Sequence, residues 1–403
     1  MKSTIKILIY FTAVVLLAWL LPWCYHFAFS TPSGSSFTLY SCVVDKFVSI
    51  ESSGKKPVFK DFDGVVYSEG QFDSILPLFY FRQLTTNGRL PDTICGVAVT
   101  PQLISRENFI FRHSPSGTNV RSPKVYPLLE TMSGRVDLQM PEDMFRMKNG
   151  IEFIDMKTNT VNPDKSDLFN KVMADKGFTW PMIDISGNPT TRKEYDQGYL
   201  LIDAAHKVFH MKQMIGRPYF RDMGVPQELG MKYAFITEFS SHRTYGFLVD
   251  KDNNLYVVNA PAYELHKLPL GTFDPATQDI TIMGDMFHWT VKVRGAGGEK
   301  LYAIDASDYS LVDEYTYPEA VDKWDVYGKH IFPFELSFTS YNDKFVYPRL
   351  HSLSWVALLF NFILACGYVI IARKRKNVYL SAVFILPLGI FLFVPLLLMG
   401  GSR

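Results

Sequence analysis

The sequence predicts a mostly β outer domain, propeller-like or built of stacked antiparallel hairpins, tied to a bilayer by three transmembrane α-helices. Three observations carry this reading. Long apolar runs lie at both ends of the chain with cations beside them, aspartate-led strand hairpins recur through the middle, and no basic face competes with either.

At the C-terminal end, Leu353 to Met399 holds two apolar runs separated by Arg373, Lys374, Arg375, Lys376 and Asn377. Each run is about 20 residues, the length a helix needs to cross a hydrocarbon core of roughly 30 Å. Neither contains Lys, Arg, Asp or Glu. Cations beside short spans stay in the cytoplasm, so the turn 373–377 is expected to face inward. At the N-terminal end Lys2 and Lys6 precede the apolar run Ile7 to Ala28, with Trp19, Trp23 and Tyr25 placed for an interface belt. A cleaved signal peptide is the competing reading, with Ala28-Phe29-Ser30 as its weak cleavage site, but the run exceeds the 7–15 residues usual for a signal. The expected layout is an anchor over 1–29, an extracytoplasmic β-rich domain over 30–349 and a helical hairpin over 350–403. That layout implies a multi-pass protein of the bacterial cytoplasmic (inner) membrane with its large domain outside. No Asn-x-Ser/Thr acceptor occurs, since Asn188 is followed by Pro189, which leans the same way.

Composition agrees with this layout. Hydrophobic residues make up 47% of the chain and the mean hydropathy is +0.02. Lysine and arginine total 41 against 40 acidic residues, a net charge of +1, so nothing marks a nucleic-acid partner. Of the four cysteines, Cys24 and Cys366 fall in apolar runs. Cys42 and Cys95 lie between them and either pair in an oxidising compartment or stay separate buried thiols. No Cys-x-x-Cys occurs, which removes zinc ribbons and thioredoxin-type chemistry.

Along the chain, Thr31 to Ser36 reads as a linker and Val43 to Val66 as strand, turn, strand. Gln71 to Asn87 has helical spacing of Phe72, Ile75, Leu76, Phe79 and Tyr80, but Pro77 makes it short or broken. Ser105 to Arg146 holds short β-like runs. Then Gly150 to Asp155, Gly198 to Asp203 and Tyr245 to Asp250 each lead an apolar strand into an Asp-led turn, and His288 to Asp305 is a looser copy. Copies recur at about 40 to 50 residues, the spacing of propeller blades. A twisted antiparallel sandwich would give the same pattern.

No site of chemistry stands out. His206 and His210 have the four-residue separation of zinc-binding helices, but they fall in a hairpin and lack the Glu of His-Glu-x-x-His. Asp250 to Asn254 begins like a calcium loop, yet Leu255 stands where glycine is needed and Pro261 where a bidentate Glu is needed. Gly295 to Gly298 joins two strands with no helix to hold a phosphate. There is no Gly-x-Ser-x-Gly elbow, and Ser133-Gly134 has no strand-to-helix context. Asp196, Asp203 and the pair Glu142-Asp143 are carboxylates without an assigned role, and Trp180, Trp289 and Trp324 read as core. Uncharged membrane runs do not suit a pump or channel. Asn361, Pro387, Gly389 and Pro395 suggest helix packing, and the aromatic stretch from Phe332 to Tyr347 is expected near the outer headgroups. Catalytic, metal and cofactor-binding residues are therefore assigned to none, and the residues singled out are the topology-setting Lys2, Lys6, Arg373, Lys374, Arg375 and Lys376.

The order of elements, with the runs Tyr126 to Glu130, Gly150 to Asp155, Asp196 to Tyr199 and Phe209 to Lys212, resembles a family of uncharacterised bacterial membrane-anchored proteins of a domain-of-unknown-function type. The resemblance implies an ABC-transporter permease or ATPase as partner and brings no mechanism. The expected function is an extracytoplasmic binding, sensing or accessory subunit of a membrane complex, with a membrane-tethered envelope hydrolase as the alternative. A cysteine placed at Lys374 should be shielded from an impermeant thiol reagent in intact cells, and one at Asn253 labelled. The reverse pattern would overturn the topology.

Overall fold

Again and again among the described residues a strand ends on an aspartate whose carboxylate folds the following turn. Asp61 accepts the N–H groups of Asp63 and Val65 at 3.0 and 2.9 Å, and Asp203 those of Ala205 and Lys207 at 2.9 and 2.8 Å. Asp250 takes Asp252 and Asn254 at 2.9 and 2.8 Å. Asp155 accepts from Lys157 and Thr158, and Asp305 from Ser307. Each turn then places one residue in the left-handed region: Gly64, Asn159, His206, Asn253 and Tyr309. The carboxylate satisfies N–H groups that the reversal leaves without ladder partners, and its charge strengthens each bond.

The computed structural model of the chain describes residues 2–29, 36–53, 56–120, 123–131, 137–317, 323–375 and 377–399. Two compact units emerge, one of 35–318 and one of 1–34 with 319–403.

In the helical unit, α1 spans Lys2–Phe29. In the β unit, sheet I is β1 (Phe37–Ser41), β2 (Lys46–Ser53), β3 (Lys56–Asp61) and β4 (Val66–Tyr67). The helices α2 (Glu69–Ile75) and α3 (Phe81–Thr86) follow, split at Pro77 as its missing N–H requires. A small hairpin, β5 (Thr93–Ile94) with β6 (Val97–Ala98), precedes α4 (Pro101–Glu107), β7 (Phe109–His113) and α5 (Pro115–Thr118). Sheet II is β8 (Val125–Tyr126), β9 (Asp143–Met147), β10 (Ile151–Asp155) and β11 (Val161–Asn162). Asn162 caps α6 (Pro163–Asp175), accepting the Lys165 N–H with Pro163 in the first turn. Sheet III is β12 (Asp184–Gly187), β13 (Tyr199–Ile202), β14 (Val208–Met214) and β15 (Arg217–Asp222). Sheet IV is β16 (Tyr233–Ile236), β17 (Thr244–Val249), β18 (Leu255–Asn259) and β19 (Glu264–Lys267). Sheet V is β20 (Asp279–Gly284), β21 (His288–Gly295), β22 (Gly298–Asp305) and β23 (Leu311–Thr316), with β7 added at its edge beside β20. Neighbouring strands are antiparallel throughout these sheets, so the unit is mostly β, as expected.

Side chains alternate across a strand, and in the inner strands of sheets III, IV and V both faces are buried because these sheets pack against two neighbours. Leu201 and Phe209 of sheet III face Phe145 and Phe153 of sheet II, while Leu200, Ile202 and Val208 meet Ala234, Leu248 and Val258 of sheet IV. Phe247, Val249 and Val257 then face Ile282, Trp289 and Val291 of sheet V. Tyr40 and Phe47 of sheet I close on Leu301 and Ala303, with Tyr40 N–H donating to Thr290 Oγ1 at 2.8 Å. The stack thus runs II, III, IV, V, I, and the far face of sheet I, with Leu39 and Val48, is covered by Phe72, Ile75 and Leu76 of α2.

The helical unit continues with a π-helical turn at Trp324–Gly328 and α7 (Lys329–Ile331), then β24 (Glu335–Ser337) and β25 (Arg349–His351), a small hairpin. Here Trp324 and Phe332 stack at 5.4 Å, and Phe332 stacks on Phe391 at 5.9 Å, while Tyr341 and Tyr347 of the same aromatic stretch are exposed. The expectation of three spanning helices is corrected. Among the described residues one helix, Thr4–Phe29, is long and apolar enough to cross a bilayer. The C-terminal helices are α8 (Ala357–Ile371), α9 (Val378–Leu388) and α10 (Ile390–Met399), of 15, 11 and 10 residues. The second apolar run breaks at Gly389, whose φ of 53° is left-handed. Arg375 Nη1 donates to Leu396 O at 2.6 Å. A straight helix would carry Leu396 about 27 Å from Val378, beyond an arginine's reach, so α10 turns back along α9. A Cβ at Gly389 would lie 2.3 Å from Asn361 Oδ1, which explains why glycine stands at the reversal. Of the topology residues, Lys6, Arg373 and Lys374 are exposed, and Lys376 lies outside the described residues, as do the Lys2 side chain, Ser133-Gly134 and linker residues 31–35.

Lys207 lies just before β14 and spends its N–H on Asp203 rather than on the ladder. Lys207→Pro removes that donor and crowds the left-handed His206 before it. The β unit should lose about 2–4 kcal/mol, read as faster proteolysis and a lower thermal midpoint; unchanged resistance would refute the turn's role.

Candidate functional site

On the strand Val208–Met214, alternate residues Val208, His210 and Lys212 face sheet IV, so the inter-sheet core turns from apolar to polar along one strand. Across the β14–β15 ladder His210 pairs with Arg221 and Lys212 with Tyr219. Sheet IV contributes Tyr245, and the turn before β19 contributes Tyr263, stacked on Tyr245 at 4.6 Å.

His210 is fully buried, and its partners fix its tautomer. The Gln197 carbonyl can only accept, so Nε2–H donates to it at 2.6 Å, which leaves Nδ1 to accept from Tyr263 Oη at 2.8 Å. Tyr219 Oη lies 3.1 Å from Tyr263 Oη and extends the chain outward. Burial, with the Lys212 charge, pushes the imidazole down to about 3. The ring stays neutral with both nitrogens engaged, and serves neither as base nor as ligand.

Beside it lies a buried ion group. Lys193 Nζ donates to Asp196 Oδ1 and Glu238 Oε1, each at 2.6 Å, and all three side chains are under 10% exposed, at 7%, 2% and 4%. Gln197 N–H and Asn188 Nδ2 add bonds to Glu238 at 2.7 Å each, and Gly198 N–H donates to Asp196 at 3.0 Å. A group of two carboxylates and one ammonium leaves one negative charge over, and Lys212 is the nearby cation that answers it. Burial lowers the Lys212 ammonium, while Asp196 and Glu238 pull it back up. Lys212 uses one of its three donors on Gln197 Oε1, and lies 6.0 and 5.8 Å from the Tyr219 and Tyr245 ring centres. Arg221 sits over Tyr263 at 5.0 Å and is exposed. The result is a ledge of two cations on three tyrosines, backed by a fixed hydrogen-bond network. It can hold an oxygen-rich anion through Lys212 and Arg221 and pack its carbon skeleton on the rings.

The residues considered from sequence fall as follows. His206 donates Nδ1–H to Met231 O at 2.8 Å, while His210 points into the core, so the pair does not converge. Asp203 and Asp250 are spent on their turns, Asp250 also accepting from Asn254 Nδ2 and Tyr256 Oη. Glu142 pairs with Lys157 and Asp143 with Lys165. Gly295 to Gly298 closes the β21–β22 hairpin. Trp180 and Trp289 pack in the β unit, and Trp324 packs in the helical unit. Among the described residues no three His, Cys, Asp or Glu side chains gather as a metal site. Asp196 alone of the singled-out carboxylates belongs to the ion group; Lys193, Lys212, Arg221, Glu238 and the tyrosines were not found from sequence. The signal was there in the β14 alternation, where His210 and Lys212 replace apolar residues on a face that Val208 marks as buried.

The family model that matches the chain is described as Domain of unknown function (DUF4857) and covers residues 37–304. None of the curated proteins matches. Among solved structures, the β-propeller domain of Myceliophteria thermophila Cps50 (Swd1) is 14% identical, with TM-score 0.26, over 55% of this chain and 61% of that one. PorZ, a surface component of the type-IX secretion system of Porphyromonas gingivalis, is 11% identical with TM-score 0.21, over 71% of this chain and 33% of that one. The dihydro-heme d1 dehydrogenase NirN is 8% identical with TM-score 0.21, over 69% and 70% of the two chains. The chain thus spans less than two thirds of the first two.

The buried imidazole makes stability depend on pH. His210 binds its proton at about 3 when folded and at about 6.5 when unfolded, so below pH 6.5 the unfolded chain takes up the proton first. Its contribution is full above that value and falls as pH drops toward 3, by up to about 1.4 kcal/mol per pH unit. Thermal midpoints between pH 7 and 4.5 should fall more steeply for the native protein than for His210→Gln. Parallel curves would contradict a buried neutral histidine.

Proposed function

The chain belongs to the DUF4857 family, and we propose that this member is a membrane-anchored binding subunit that holds its β unit outside the cytoplasm and serves a larger membrane complex. α1 is the anchor: Lys6 lies at its start and exposed Trp19 and Trp23 toward its end, the order that keeps the N-terminus inside. The exposed cations of the turn at Arg373 and Lys374 are the surface a permease of that complex would meet, as in an ABC-transporter assembly in a bacterial inner membrane.

The observation that carries the binding reading is the half-buried Lys212 ammonium with one hydrogen bond among the described residues, set beside Arg221 and three tyrosines. The surplus charge of the ion group balances Lys212 from behind, through space and without a direct hydrogen bond, and a ligand carboxylate or phosphate would take its remaining donors from the open side. The envelope-hydrolase alternative needs a carboxylate free to move a proton. Asp196 and Glu238 are held by Lys193 and backbone N–H groups, and His210 has no free nitrogen, which weighs against it.

Purification of the tagged chain from its own membrane in mild detergent should bring a permease or ATPase in stoichiometric amount. Charge reversal of Arg373 and Lys374 should release it, and Lys212→Met should leave it bound. Recovery of the chain alone at good yield would refute the accessory role.

A further inference from the structure

Cys42 and Cys95 stand 53 positions apart in sequence and meet in the fold. Cys42 follows directly on Ser41, the last residue of β1, and packs among Leu78, Phe81, Ile94 and Ile104 beneath the helices that cover sheet I. Cys95 sits at the tip of the β5–β6 hairpin, exposed, between the paired residues Ile94 and Val97. Its φ is 45° and that of Gly96 is 79°, two consecutive left-handed residues of a tight hairpin turn. Asn-Gly is the common choice for such a turn. A cysteine takes the first position at a steric cost, which persists where the surroundings fix it. Here the turn aims the thiol inward: Cys95 Sγ donates to the Cys42 carbonyl at 3.1 Å, close enough for the two thiols to interact. Beside them lies a cleft of about 20 Å³ lined by Ser41, Cys42, Leu78 and Asp285.

We infer that Cys42 and Cys95 are joined by a disulfide in the protein as it is made, stapling the β5–β6 hairpin and the helical cover to the end of sheet I. The inference rests on the β unit lying outside the cytoplasm, where disulfides persist. The oxidant is a disulfide, either a small one such as oxidised glutathione or that of a thiol oxidoreductase. The exposed Cys95, as thiolate, attacks one sulfur of that disulfide and expels a thiolate. Cys42 then loses its proton and attacks Cys95 Sγ, expelling the second thiolate. Two protein thiols are oxidised and one disulfide is reduced to two thiols. Burial and the neighbouring Cys95 raise the Cys42 thiol, so Cys95 is the first to react.

The experiment uses the full chain in two settings. Purified in detergent, reduced and then exposed to oxidised glutathione, the folded protein should yield a cross-linked peptide pair containing Cys42 and Cys95, and a mass 2 Da below the reduced form. Cys95→Ser should leave Cys42 unmodified, and reduction of the native protein should lower its thermal midpoint by several degrees. In cells quenched with acid and alkylated, neither cysteine should take label until reductant is added. If no cross-linked pair forms in detergent, the geometry fails and the inference with it. If it forms in detergent but both thiols are labelled in quenched cells, the inference fails because the β unit is not in an oxidising compartment.

Discussion

The architecture of the β unit depends on one interaction repeated through it: a carboxylate at the end of a strand collecting the N–H groups of the turn that follows. Asp61, Asp155, Asp203, Asp250 and Asp305 each hold a reversal whose next residues cannot join a ladder. For Asp250 burial works against the charge, yet donors from Asn254, Tyr256 and Asp252 outweigh it and hold the carboxylate below its usual range. Asp61 shows the same balance, with Val65, Tyr67 and Asp63 as donors. A hairpin closed this way has its register fixed before it meets another sheet. Register decides which side chains face which neighbour, and in this stack a slip of one residue would exchange two different apolar faces.

Because sheets III and IV are covered on both sides, their inner strands β13, β17 and β18 are buried at nearly every position. Departures from that rule mark where the stack does something besides pack. Leu200, Ile202 and Val208 fill the III/IV interface, and His210, Lys212, Tyr219 and Arg221 continue the same face with polar groups. Those groups are neither solvated surface nor ordinary core. They are braced by the Lys193, Asp196 and Glu238 group, whose members gain their charge balance only from one another and from Lys212. A buried ion group of this kind contributes little net stability, and here it holds Gln197, whose carbonyl and side chain position His210 and Lys212.

The hairpins could be read from the sequence because a short aspartate-led turn is a local signal. Asp155, Asp203, Asp250 and Asp305 each stand where the repeat puts them, and the break at Pro77 follows from proline chemistry alone. What escaped is non-local or short. The placement of β7 at the edge of sheet V joins residues 109–113 to 279–284, and no periodicity encodes a partner so far along the chain. The second C-terminal run is uniformly apolar, so length suggested one span, while the reversal at Gly389 rests on a single backbone angle and on Asn361 beside it. At the site, the two runs Asp196 to Tyr199 and Phe209 to Lys212 prove to be ladder neighbours, Tyr199 opposite Met211 and Leu200 opposite His210. Each looked structural alone, because charge pairing between loops and strands is invisible until the strands are paired.

The stacking order II, III, IV, V, I sets a timetable for synthesis. Sheet I is made first, yet the sheet against which Tyr40 and Phe47 pack is completed only when residue 316 is in place. β7 likewise waits for β20. Through most of translation the early strands hold an apolar face with no native partner, while sheets II, III and IV can assemble pairwise as they appear. Within the β unit, the return of sheet V onto sheet I closes a long loop, and until it does the newborn β unit has an apolar face open to its own kind.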